Sequence, residues 1–452
     1  MTYAAKKARL AAALTVRGAE GVAADGAPAF GLAKRTSNLF RSRAPRVPPR
    51  IDLSGFGDVI RVDHALGLVE VEGMTTFEVA ADATLAQGTM PAVVPQLKSI
   101  TVGGALAGVG IEATSFRQGL VHDAVVALDV LTGDGRIVTC TVDNEHRDLF
   151  LGFANSYGTL GYALAVTMRT LPVQPYVALA HARHARADEA FAAIARHCAL
   201  GDADFLDGVV FGPGEIVVTT GRFVAEAPHT SDYTFEHMFW RSLRERDVDW
   251  LATRDFLWRW DTDWFWCSRN VGAQHPLVRR ILGRSRLNSL TYQRIMRWNS
   301  RWGVTRALSR LRGRYPESVI QDVDIPFARA AEFLDFLLVE VGVLPIWLCP
   351  IRAPDPARPA TLFPLRPGTT YVNFGFWDVV NHREPTAPGA LNRRIERRVA
   401  ELSGVKSLYS DSYYTEDEFW RLFDHDAYFA LKRRYDPARR LPDLYAKCVR
   451  RA

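Results

Sequence analysis

The sequence predicts an α+β protein: an N-terminal lobe over residues 30–175 and a mixed α/β cap over 176–405, flanked by an arm (1–29) and a C-terminal segment (406–452). Three observations predict it. Strand–turn–strand units occur in both lobes, at 125–140 around Thr132-Gly133-Asp134-Gly135 and at 209–219 around Gly212-Pro213-Gly214. Helical periodicity recurs between them, as where Phe191, Ile194 and Ala195 share one face of 187–198. The composition also changes after Pro172, which sets the boundary between the lobes.

Composition narrows the function classes. A chain of 452 residues, 48% hydrophobic and 23% charged, suits two or three globular domains. It holds no apolar run of about 18 residues, so a membrane-crossing helix is not expected. The apolar patch near the start is cut short by Arg17 and Glu20, which argues against a signal peptide. Cys140, Cys198, Cys267, Cys349 and Cys448 are scattered, with neither zinc spacing nor a disulfide framework. A reducing cytosol and no metal centre are the expectation.

Taken in order, residues 1–28 read as an Ala-rich helix or a loose arm. Residues 51–71 alternate as two strands around His64-Ala65-Leu66-Gly67, and 75–87 read as a short helix capped by Thr75 or Thr76. Residues 95–119 are dominated by Gly, Ala, Thr and Ser, which argues for bare loop rather than packed helix or strand. A backbone so bare brings its N–H groups against a bulky anion, although a structural turn would need the same residues. Gly108 to Ala113 fits G-x-G-x-x-A, but the next residues read as loop, so a dinucleotide fingerprint is set aside. Further on, 319–325 read as strand, 327–341 as helix, 345–350 and 370–376 as strands, and 391–402 as helix.

Four motifs in fixed order resemble the flavin-binding domain of the vanillyl-alcohol-oxidase-type (PCMH-type) flavoproteins, over roughly residues 30–175. They are P-x-x-x-x-x-T-V-G-G from Pro95 to Gly104, L-x-G-D-G from Leu131 to Gly135, Asp148-Leu149-Phe150, and Gly158-Thr159-Leu160-Gly161. The resemblance implies FAD. It places Pro95, Thr101, Val102, Gly103, Gly104, Gly108, Gly110, Ile111, Ser115, Gly119, Gly158, Thr159 and Gly161 around the cofactor. Where this family keeps its first pyrophosphate loop, often with a flavin-linking His, this chain has Lys34-Arg35-Thr36-Ser37-Asn38. Thr36, Ser37 and Asn38 suit phosphate, and non-covalent FAD is expected; the alternative is an ordinary polar turn.

Past residue 50 the chain also resembles the delta-24 sterol reductases of the Diminuto type. That likeness rests on 101–115, 155–161, Pro345 to Pro350, and Leu408 to Tyr414 with Glu418-Phe419-Trp420. The variants at 33–41 and 94–98 look closer to the actinobacterial reductases of 10-methylene fatty acyl chains, which complete 10-methyl-branched acids such as tuberculostearic acid. That likeness implies NADPH as donor, an acyl chain as substrate (a phospholipid acyl chain first, with CoA or the free acid as alternative carriers), and a partner methyltransferase upstream.

Reducing an isolated alkene calls for an acid kept protonated in an apolar pocket, while the flavin carries the electrons. Glu112, in the glycine stretch, is the first candidate acid; its alternative is a hydrogen bond to the flavin or to a neighbouring amide. Asp411 and Tyr413, with Tyr414, are further candidates from the C-terminal motif, against a plain packing role. Lys432 matches residues that touch the flavin ring in relatives, against a solvated charge.

Residues 240–302 hold eight of the eleven tryptophans, and 269–314 hold twelve arginines and no acid. Indole with guanidinium suits an anionic membrane surface. The alternatives are a subunit interface or buried core, and phosphate or nucleic acid, with lipid favoured over nucleic acid. The expectation is a cytoplasmic protein, peripheral on the inner face of the membrane, with these indoles at headgroup level.

Overall fold

A computed structural model describes residues 1–18, 31–34, 40–41, 50–302, 309 and 311–450. Two antiparallel sheets organise them. The first runs Val59–Asp63, Leu68–Glu72, Gly161–Pro172, Val125–Thr132, Ile137–Cys140, with Thr89–Pro91 added to the long strand Gly161–Pro172. The second has eight strands in the order Val248–Ala252, Tyr176–His184, Glu215–Val224, Phe205–Gly212, Ile346–Ile351, Tyr371–His382, Tyr315–Pro326, Val405–Lys406.

The central strands Phe205–Gly212 and Ile346–Ile351 of the second sheet are buried on both faces, and alternation assigns them. Leu206, Val210, Ile216, Val218 and Leu348 share a core with the helices Ala187–Leu200, Ala330–Phe336 and Ala390–Glu401. Their neighbours Phe205, Val209, Val217, Trp347 and Cys349 join the core of the first lobe. The site therefore lies where one strand face meets the glycine segment. The N-terminal helix Tyr3–Gly18 is fastened to the first sheet by Lys6 on Glu72 (2.7 Å) and by Tyr3 on Asp129 (2.6 Å).

Helix 77–85 has Thr76 as its cap, accepting from the Val79 amide. Two expectations are corrected. The glycine stretch is not bare loop: Val102–Gly108 is helical, with Thr101 as its cap, and Ser115–Gln118 and Val121–Ala124 are further short helices. Its small residues permit close packing. A Cβ at Gly103 would lie 2.8 Å from the Gly73 carbonyl oxygen and 3.1 Å from the Ala163 Cβ, on the central strand. At Gly110 it would meet Val121, Pro95 and Ala105.

The second correction concerns the tryptophans. Trp258, Trp260, Trp264 and Trp266 are buried in the main core, so they are not at headgroup level. Arg279 is buried too, on Asp263 at 2.6 Å. Only Trp298 and Trp302, among these eight, are among the exposed large hydrophobics.

Candidate functional site

The helix Val102–Gly108 ends at Val109 in the left-handed region, φ 58°. Four more non-glycine residues in this neighbourhood do the same: Asn155 and Tyr157 before the Gly158–Gly161 loop, and Trp264 with Phe265. Such backbone costs on the order of 1–3 kcal/mol per residue and persists only where its surroundings over-determine it. Here they do. The Tyr157 amide donates to Ala107 O (3.0 Å), and its hydroxyl lies 3.2 Å from both Gly108 O and Ser407 Oγ. The glycine helix and the 155–161 loop are thereby one unit, with Pro95, Thr101, Val102, Gly103, Gly104, Gly108, Gly110, Ile111 and Ser115 on one side and Gly158, Thr159 and Gly161 on the other. Gly119 (φ 77°) turns back to Asp123, which caps Leu120.

Lys34 reaches this unit, Nζ to Thr101 Oγ1 at 2.9 Å. Thr36, Ser37 and Asn38 lie outside the described residues. Lys432 is not solvated: its ammonium is buried and donates to Thr159 O (3.1 Å), Leu441 O (3.0 Å) and Asp436, which fastens the loop from beneath.

Beside the glycine helix lies a charged cluster whose cation the sequence reading missed. Glu112 is 2% exposed. Its amide donates to Ser115 Oγ (3.1 Å), and its Oε1 accepts from Arg259 Nη2 (2.8 Å). The same nitrogen donates to Asp207 Oδ2 (3.0 Å), which also accepts from Trp347 Nε1 (3.3 Å). The guanidinium lies 4.0 Å from the Phe256 ring centroid. One buried cation thus serves two buried carboxyls. Burial pushes the Glu112 carboxyl up to about 7, against the pull of Arg259 and with a further push from Asp207. Glu112 Oε2 is buried and has no hydrogen-bond partner among the described residues.

An aromatic array runs on from there. Trp347 meets Phe265 at 5.7 Å, Phe265 meets Trp377 at 4.6 Å, and Trp377 Nε1 donates to the Tyr409 hydroxyl at 2.7 Å. Tyr409 hydrogen-bonds Asp322, whose carboxyl burial raises well above the usual range. Phe40 contacts both Tyr409 (5.7 Å) and Trp264 (5.4 Å). Tyr409, not Tyr413, is thus the tyrosine of the C-terminal motif that reaches the array. Tyr413 lines a separate cleft with Arg393, Arg397 and Arg421, and Asp411 meets Lys406 through its carbonyl (2.7 Å). Among the described residues, the side-chain partner of Glu112 is Arg259, not Asp411 or Tyr413. Tyr414 is buried, edge-on to Phe419 at 6.3 Å.

Asp322 and Asp324 carried a legible signal: two acids at alternate positions of a strand, hence on one face, with Val323 and Ile325 between and after them. Arg259, inside Trp258-Arg259-Trp260-Asp261, was hidden by the tryptophans around it.

The residues present fit FAD. Ser156 Oγ, Asn155 Oδ1 and Ser410 Oγ are buried without partners among the described residues, as polar groups awaiting a polar ligand are. A Cβ at Gly104 would lie 2.7 Å from Thr101 Oγ1 and 3.0 Å from Lys34 Nζ, so it would crowd the helix cap and this lysine. Gly104→Val is therefore expected to displace Lys34 and to purify colourless. Gly103→Val would instead strike backbone and lower the melting temperature. A yellow Gly104→Val protein with stoichiometric flavin would remove this glycine from the cofactor site.

Residues 50–141 match the family described as the FAD binding domain. The chain is 27% identical over 412 residues to the human (Homo sapiens) delta(24)-sterol reductase, covering 87% of this chain and 77% of that protein. It is 25% identical over 437 residues to that of Pisum sativum, covering 88% and 76%. A shorter match, 37% over 90 residues, joins it to cytokinin dehydrogenase 7 of Oryza sativa, covering 20% and 17%.

Proposed function

We propose that this chain, an FAD-dependent oxidoreductase acting on a carbon–carbon double bond, reduces an isolated alkene in a lipid, with NADPH as donor and a 10-methylene acyl chain as substrate. The observation that carries the reading is Glu112: a buried carboxyl with one free oxygen and an affinity for its proton raised to about 7, beside the glycine helix. An unpolarised alkene needs such an acid, because no carbonyl draws a hydride onto it. Support also comes from the sterol reductases, whose likeness spans both lobes.

FAD, when bound and reduced, supplies the hydride. The chain supplies the proton and the surroundings. Glu112 gives its proton to the terminal methylene carbon, which leaves positive charge developing at the branched carbon that accepts the hydride. Arg259, already 2.8 Å from Oε1, holds the resulting carboxylate until solvent reprotonates it. Asp207 keeps the guanidinium in place through a second charge-assisted bond. Trp347, Phe265, Trp377 and Trp264 give the neighbourhood of the cluster an apolar character suited to an acyl chain, and the indole N–H groups of Trp347 and Trp377 are engaged, on Asp207 and Tyr409.

Anaerobic absorbance tests the reading. NADPH is expected to bleach the flavin, and the methylene lipid to restore its colour. Bleaching by a lipid alcohol, and not by NADPH, would identify an oxidase of a lipid-linked alcohol or sugar instead.

A further inference from the structure

We infer that the helix Ser289–Trp302 is a docking surface for an anionic phospholipid bilayer. Its inner face is committed to the cap. Tyr292 is fully buried and donates to Thr262 O (2.8 Å), and Ser289 Oγ donates to Asp261 Oδ1 (2.6 Å). Its outer face carries large apolar groups in water: Trp298 is 58% and Trp302 66% exposed, with Ile295 beside them. At 100° per residue, Ile295, Trp298 and Trp302 share one arc with the exposed Arg294, Arg297 and Arg301. The helix contains no acid, nor does any position from 269 to 314.

Within 269–314 the charge is of one sign, and the acids that meet it come from other elements, as Asp232 does at Arg284 (2.8 Å) and Asp378 at Arg269. A surface of paired indoles and arginines without acids is complementary to a negative plane with an apolar interior. Indole settles at headgroup depth, and guanidinium grips phosphate in a fork. The preceding helix Pro276–Leu282 adds Ile281, 78% exposed, and Leu277, 63% exposed, one turn apart on a single face. The helix Ser289–Trp302 joins the buried tryptophan core through Asp261 and Thr262, so docking would bring the lipid phase close to the aromatic array. This extends the lipid reading and is measured without turnover, so either can fail alone.

The test is co-sedimentation of the full chain, at low salt, with phosphatidylglycerol-containing and with pure phosphatidylcholine vesicles. Wild type is expected to pellet with the anionic vesicles and to be released by salt. The triple variant R294E/R297E/R301E should lose at least about a hundred-fold in vesicle affinity, at roughly 1 kcal/mol per basic residue removed. W298A/W302A should weaken binding while leaving most of the salt dependence. Both should keep the flavin spectrum, because every substituted side chain is exposed. Quenching of wild-type fluorescence by doxyl-labelled lipid, absent in W298F/W302F, gives a readout that needs no charge change. Equal pelleting with both vesicle types, or with neither, overturns the inference. So does sedimentation velocity showing that the wild type self-associates through these residues while vesicle binding is unchanged in the variants.

Discussion

Glu112→Gln is expected to retain FAD and its reduction by NADPH, and to lose alkene reduction by at least about a hundred-fold, the usual lower bound for general acid catalysis. Glutamine fills the same volume and can still accept from Arg259, but it has no proton to give. The pH profile separates this role from a structural one. In the wild type the carboxyl is protonated below about 7, so the rate should be flat there and fall as pH rises through that value. The residual rate of Glu112→Gln should lack this limb. Stability follows the same sign. A carboxyl with a raised folded affinity favours the fold fully below its ordinary pKa, and that advantage is lost as pH rises through about 7. Glu112→Gln should flatten this dependence. Wild-type rates in the variant would take Glu112 out of the chemistry.

Arg259→Met should destabilise the protein by about 3–5 kcal/mol, the cost of removing one partner from a buried ion pair. The guanidinium side chain is 1% exposed and serves two carboxyls that are themselves buried. Without it, burial and their mutual repulsion push both upward, toward the protonated form. The loss should therefore deepen from about pH 6 to about pH 8, as those protons become harder to keep. Urea unfolding at the two pH values measures it. Asp207→Asn should be milder, because the remaining Arg259–Glu112 pair is neutral. It should also lower the affinity of Glu112 for its proton, since Asp207 pushes it up. A fully stable Arg259→Met protein would mean that water already reaches this cluster.

Local chemistry in the sequence revealed much of this. The Thr132–Gly135 turn, the Thr76 cap and the alternation of the cap strands are set by neighbouring residues, and they stand close to where periodicity put them. Glu112 was visible because it follows a glycine segment at a fixed spacing. Its partners were not, because Arg259 is 147 positions away and Asp207 is 95 positions away in the chain. Pairing of that kind comes from packing one strand face against the other lobe, which no local pattern encodes. The glycine stretch misled for a related reason. Small residues weaken an isolated helix, yet Gly103 allows this one to lie against the central strand, and packing outweighs propensity. The tryptophans misled because composition does not show which face of a segment turns inward. Four went to the core, leaving Trp298 and Trp302 outside.

The most direct measurement is the product of a single anaerobic turnover in deuterated water. Protein reduced with NADPH is mixed with a phospholipid bearing a 10-methylene chain, and the acyl chain is read by mass spectrometry. A saturated 10-methyl chain with one solvent deuterium on the methyl carbon, and a second on the branched carbon because the hydrogen on reduced flavin exchanges with solvent, is the predicted result, and Glu112→Gln should not form it. A flavin that stays reduced until oxygen is admitted, with the methylene chain recovered intact, would contradict the account.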